Sequence, residues 1–165
     1  FRPVSVLVSA WGQSTLPQLS AALANGRLAE FDRTLGRALI ATALGSVAIG
    51  FVLWFAWGPI ARYVFAGKYP DGFLLLWPWA AASGASVLRY VGSTGLMAAR
   101  EFKFLAKAQT VCGVLAAAAT AGFILWHGYA AAMWGIALGN GACFAWEMLR
   151  LQRVRRHQPP AAARP

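Results

Sequence analysis

Hydrophobic and polar positions in this chain alternate on the scale of whole segments rather than single residues. Pro3 to Gly26 carries no charge, nor does Ala38 to Ala61, and Phe73 to Ala99 is broken only by Arg89. Ala108 to Trp146 is also uncharged and is split near its middle by His127-Gly128. Each piece has roughly the 17–25 residues that an α-helix needs to cross about 30 Å of hydrocarbon. In lipid the backbone polar groups of a span must be satisfied within it, which favours helices, and the short alternating strands of a β-barrel are missing from the sequence. The pattern therefore predicts an all-α fold, a polytopic transmembrane helix bundle of about five spans. The expected spans are residues 3–25, 38–63, 73–99, 106–126 and 129–149, forming one bundle over 1–149, with a basic, Pro/Ala-rich tail over 150–165.

Composition agrees. Of the 165 residues, 59% are hydrophobic and 12% charged, with a mean hydropathy of +0.53. A soluble domain carries about 25% charged residues, so this chain has too few polar groups to coat a water-facing surface. The net charge of +10 raises the question of nucleic acid, but the basic residues sit in short clusters between apolar runs and form no continuous basic face. No nucleic-acid partner is expected. Membrane lipids are expected instead.

The basic clusters set an orientation. Arg27, Arg33 and Arg37 occupy the first connector, and Arg100, Lys103 and Lys107 the third. Arg150, Arg153, Arg155, Arg156 and Arg164 lie in the tail, whereas the second connector holds only Arg62 and Lys68 and the fourth none. By the positive-inside rule the first and third connectors and the C-terminus are expected in the cytoplasm, in a multi-pass protein of the cell inner membrane. Trp54, Trp57, Tyr63, Tyr69, Trp77, Trp79, Trp126, Tyr129 and Trp134 fall at the opposite span ends, as an interfacial aromatic belt would. Small residues four apart predict close helix packing: Gly135 and Gly139 in the last span, Ala41/Gly45 and Ser46/Gly50 in the second, Ala117/Ala121 and Ala118/Gly122 in the fourth.

Few residues offer chemistry. Arg89 lies toward the middle of the third span, where a charge costs about 2.5–3.5 kcal/mol and therefore faces the protein interior or a watery cavity. Ser83, Ser86, Tyr90 and Ser93 share its side of a helix. Two readings stand: a cationic contact for an anionic substrate, or an arginine that snorkels or bonds backbone carbonyls of a neighbouring helix. The first span is unusually polar. Ser5, Ser9, Gln13 and Ser20 share a face, with Gln13 the candidate to line a cavity and the serines more suited to an interhelical seam. The substrate-binding candidates are thus Arg89, Gln13, Ser86, Tyr90 and Ser93. Glu30 is placed to pair with Arg33, and Glu147 with Arg150. Cys112 and Cys143 read as small packing residues, and His127 and His157 are isolated, so neither metal nor cofactor is expected. There is no nucleophile with a base, no paired carboxylates and no phosphate-binding glycine loop, so the chain does not read as an enzyme.

Several passages carry a resemblance. Leu16-Pro17-Gln18-Leu19-Ser20, continuing through Asn25-Gly26-Arg27 to Phe31-Asp32-Arg33, resembles a span end and short amphipathic cytoplasmic segment of polysaccharide flippases. These belong to the multidrug/oligosaccharidyl-lipid/polysaccharide exporter superfamily. Gly58-Pro59-Ile60 and then Phe65-Ala66-Gly67-Lys68-Tyr69 resembles a second passage of that family, a span end followed by a Phe-Gly-x-x-Tyr element; here Ala66 is interposed before Gly67. The resemblance implies the C-terminal portion of a two-lobe transporter, with its N-terminal lobe as an intramolecular partner. The start at Phe1 without an initiator Met fits that expectation. The implied substrate is a lipid-linked oligosaccharide for polysaccharide or O-antigen biosynthesis, whose pyrophosphate suits a cationic cavity. A lipid II flippase and a cation-coupled drug exporter are the alternatives within the superfamily. The acidic coupling residues of a drug exporter would lie in a span, and Arg89 is the one charge well inside one, which counts against the exporter. A membrane-embedded transferase acting on a lipid carrier is an alternative of another class, and a non-transporting membrane scaffold a third.

Overall fold

The computed structural model describes residues 2–63 and 72–156 and is helical throughout, apart from turns. Five long helices follow one another: α1 (Arg2–Ala24), α2 (Leu28–Tyr63), α3 (Phe73–Ala98), α4 (Phe102–His127) and α5 (Ala132–Arg156). A 3₁₀ turn, Tyr129–Ala131, precedes α5. The all-α expectation holds among the described residues. The Phe65–Tyr69 motif, Lys68, His157 and Arg164 lie outside them.

The turns explain the hairpins. After α1, Gly26 takes a φ of +68°, the Arg27 N–H donates to the Ala22 carbonyl at 2.8 Å, and the Gly26 N–H donates to that of Leu23 at 3.1 Å. This pair of bonds stops the helix and satisfies its last carbonyls. The same geometry recurs after α3, with Glu101 N–H donating to Leu96 and Arg100 N–H to Met97. There the left-handed position is filled by Arg100, at φ 59°. His127-Gly128 divides the long uncharged run as expected, with Gly128 at φ +78°.

The helices outrun the expected spans at the basic end. α2 starts at Leu28 rather than 38, because the connector is itself amphipathic: Phe31, Leu35 and Ala38 are buried at helical spacing. α5 continues to Arg156 because arginine is a good helix former, and Arg153, Arg155 and Arg156 in its last turn complement the helix dipole.

Burial concentrates at this same end. Leu19 and Leu23 of α1, Phe31 and Leu35 of α2, Val91 and Leu96 of α3, Leu105 of α4 and Leu151 of α5 form one core. The first connector, third connector and end of α5 therefore meet at one end of the protein. They are tied there by Arg155 to Asp32 and by Arg150 to Glu101 at 3.0 Å. Toward the other end the helices present large apolar side chains outward, among them Leu44, Phe51 and Phe55 on α2 and Leu125 and Trp126 on α4. α3 is the hub, packing on α1, α2 and α5, while α4 joins mainly through α5.

Among the described residues two helices, α2 and α4, are long and apolar enough to cross a membrane. Only 6% and 11% of their most apolar windows are buried within the protein, which is not how the core helix of a soluble domain sits. The other three helices carry inward polar residues: Thr15 of α1, Ser93 and Thr94 of α3 and Glu147 of α5 are all buried.

The glycine pair on α5 seats that helix on α4. A Cβ added to Gly139 would lie 2.3 Å from the Ala116 Cβ, and one on Gly135 would lie 2.5 Å from the Thr120 backbone. The partner row on α4 is thus Ala116 and Thr120, whereas Ala117, Ala118 and Ala121 point outward. On α2, Ser46 and Gly50 face Gly84 and Ala80 of α3, while Ala41 and Gly45 border an open cleft beside Trp11.

Candidate functional site: a polar cleft at Arg89

α3 turns one stripe of polar residues toward α5 because Ser86, Arg89 and Ser93 recur at spacings of three and four. α5 answers with Asn140, Cys143 and Glu147 at the same spacings. The two stripes interlock. Arg89 Nη1 donates to Asn140 Oδ1 at 2.9 Å, and Asn140 Nδ2 donates to Ser86 Oγ at 2.9 Å. Ser86 Oγ in turn donates to the Ala82 carbonyl at 2.7 Å. Arg89 Nε lies 3.8 Å from Glu147 Oε1. Ser93 Oγ reaches both carboxylate oxygens, at 3.1 and 3.0 Å, and the Cys143 thiol donates to Oε1 at 3.6 Å.

Glu147 is wholly buried, whereas the Arg89 side chain keeps 24% of its surface exposed. The difference gives the two charges different roles. Glu147 is an internal counter-charge held by three side chains. Arg89 has one edge on Glu147 and Asn140 and another on a cleft of about 380 Å³ lined by Ser86, Tyr90, Ser93, Met97, Gln109 and Asn140. That cleft has the chemistry to hold an anionic or hydroxyl-bearing group: a guanidinium, hydroxyls and two amides.

Of the sequence candidates, Arg89, Ser86, Tyr90 and Ser93 come together here. Gln13 does not. It lines a second open cleft, about 580 Å³, with Val6, Ser9 and Ala10, on the other side of Tyr90. Tyr90 is the shared wall, and its hydroxyl donates to Ser9 Oγ at 3.5 Å. The Ser5 side chain lies outside the described residues.

Two expected pairings are replaced. Glu147 meets Arg89 rather than Arg150, which bonds Glu101 and lies over the Phe104 ring at 5.4 Å. Glu30 pairs with Arg27 at 2.9 Å rather than with Arg33. In the first case a partner on another helix, and in the second the residue three positions before the acid at the start of α2, takes the place of the expected neighbour. Asn140 and Gln109 are polar residues that sequence reasoning passed over, and Glu147 was assigned a different partner. For Asn140 and Glu147 the signal was the spacing Asn140–Cys143–Glu147, which puts them on one face of α5 with Gly139 one residue away.

Comparisons with protein-family models, with curated proteins and with solved structures return no match.

Proposed function

We propose that this chain is one lobe of a membrane transporter that moves lipid-linked oligosaccharide across the cytoplasmic membrane for polysaccharide biosynthesis. All five helices cross the membrane in this reading, with the basic end and the C-terminus in the cytoplasm. The observation that carries it is the guanidinium of Arg89, a quarter exposed to a polar cleft within a helical protein whose exterior is otherwise rich in large apolar side chains. An intramembrane charge open to a cavity suits contact with a charged solute, and the pyrophosphate of a lipid-linked sugar is such a group. The family resemblance of Leu16–Ser20 and Gly58–Ile60 supports the same reading. The chain alone is expected to insert in vesicles but not to flip substrate, because the second lobe is needed for alternating access.

The ion pair dictates the choice of variant. Arg89→Ala strands a buried carboxylate, so lost export would not separate transport from misfolding. Arg89→Lys keeps the charge but loses the planar fork that serves Asn140 and the cleft together. In the full-length protein, folded Arg89→Lys with reduced glycan export supports the reading, and unchanged export overturns the role given to Arg89.

A cation-coupled exporter is the second reading, favoured by one observation: a wholly buried carboxylate, Glu147, beside the cleft. Its neutralisation by Arg89 within the same cluster ranks it below the first.

A further inference from the structure

The facing residues of α4 and α5 follow one antiparallel register. Gly135 sits on Thr120 and Gly139 on Ala116, each with no room for a Cβ. Moving four residues forward on α5 and four back on α4 keeps the same faces opposed. The next rung is Cys143 opposite Cys112. Both are buried, at 0% and 3% exposure, and both are free thiols. One contact supports the rung: Cys143 Sγ lies 3.9 Å from the carbonyl oxygen of Ala108, one turn before Cys112. Ordinary helix pairs stand about 8–10 Å apart, and the glycine contacts draw these two closer. A disulfide needs its Cα atoms within roughly 4.4–6.8 Å, so a close-packed helix pair is where two facing cysteines can be bridged.

We propose that Cys112 and Cys143 form a redox modification site, a thiol pair that closes to an intramolecular disulfide bridging α4 and α5 when a membrane-permeant two-electron oxidant reaches it. With a diazenedicarboxamide oxidant, one sulfur adds to the N=N bond and its proton passes to the other nitrogen. The second sulfur then attacks the first, the S–N bond breaks, and a hydrazine leaves with the second proton. Two S–H bonds are lost, one S–S bond forms, and the oxidant gains two hydrogens. The bridge also consumes the Cys143 S–H that donates to Glu147 Oε1. Oxidation therefore removes one of the donors that hold the counter-charge of Arg89. This site is independent of the transport reading.

The test uses the purified protein in detergent, treated with diamide or with molecular iodine, then denatured, alkylated, digested and mapped by mass spectrometry. The expected result is a peptide pair joined through Cys112 and Cys143 within the monomer, lost on treatment with dithiothreitol. Cys112→Ser and Cys143→Ser should each leave the remaining thiol open to alkylation. Iodine is small and lipid-soluble, so retention of two alkylatable thiols after both oxidants overturns the proposal. Linkage found solely between two copies of the chain overturns it as well.

Discussion

The Arg89–Glu147 pair makes an asymmetric prediction. At 3.8 Å, with an effective dielectric of about 20, the attraction between the two charges is about 4 kcal/mol. Partial exposure of Arg89 screens part of this, so a coupling of about 2–3 kcal/mol is expected. Arg89→Gln leaves a wholly buried carboxylate with only Ser93 and Cys143 as donors, and is expected to destabilise by about 3 kcal/mol. Glu147→Gln leaves a guanidinium that keeps Asn140 and some solvent, and is expected to cost about half as much. The double variant should be more stable than the sum of the two losses implies. Reversible unfolding of the four proteins in mixed micelles, followed by tryptophan fluorescence, gives the cycle. Losses that add to within about 0.5 kcal/mol would refute the pairing. A Glu147 variant costlier than the Arg89 variant would refute the burial argument.

Three further outcomes follow from packing and backbone geometry. Gly139→Ala places a methyl group against the Ala116 backbone and should lower stability by about 1–3 kcal/mol, whereas Gly122→Ala enters open space on α4 and should raise it by about 0.5–1 kcal/mol; unfolding midpoints in one detergent compare them. Arg100→Gly relieves a left-handed non-glycine residue and should be neutral to stabilising by about 1 kcal/mol, while Gly26→Ala at the equivalent turn should cost about 1 kcal/mol, and a reversed order in the same assay contradicts the turn assignment. Asp32→Asn breaks a pair with Arg155 that is about one-third exposed on each side, so a loss under about 1 kcal/mol that shrinks with added salt is expected; a larger loss would mean the tie holds α2 to α5 more firmly than surface pairs do.

Much of the helical layout could be read in advance because it depends on local chemistry. Charge-free runs, the break at His127-Gly128 and the small-residue spacing of Gly135 and Gly139 are all properties of neighbouring residues. The helices run past the charge-free spans where a connector is itself amphipathic: charge marks residues 27–37 as a connector, yet Phe31 and Leu35 bury a stripe that carries the helix straight through. The site was half legible. Ser86, Arg89, Tyr90 and Ser93 share a helix face, so spacing found them together. Gln13 was drawn in by polarity alone, and only the packing of α1 on α3 shows Tyr90 standing between it and Arg89.

By itself, then, the sequence determined that the chain is helical, where most helices break, which end is basic, and that Arg89 shares a helix face with Ser86, Tyr90 and Ser93. Those outcomes rest on desolvation of backbone and charge, which acts on each segment separately. Tertiary structure decided which groups Arg89 would meet. Glu147 lies 58 positions away in sequence and had a nearer arginine on its own helix. It turns instead to α3, because a row of small residues seats α5 against α4 and its polar face is left opposite Arg89 and Ser93. The pairing of a buried acid with a half-open base depends on how three helices pack, and no single segment contains that information.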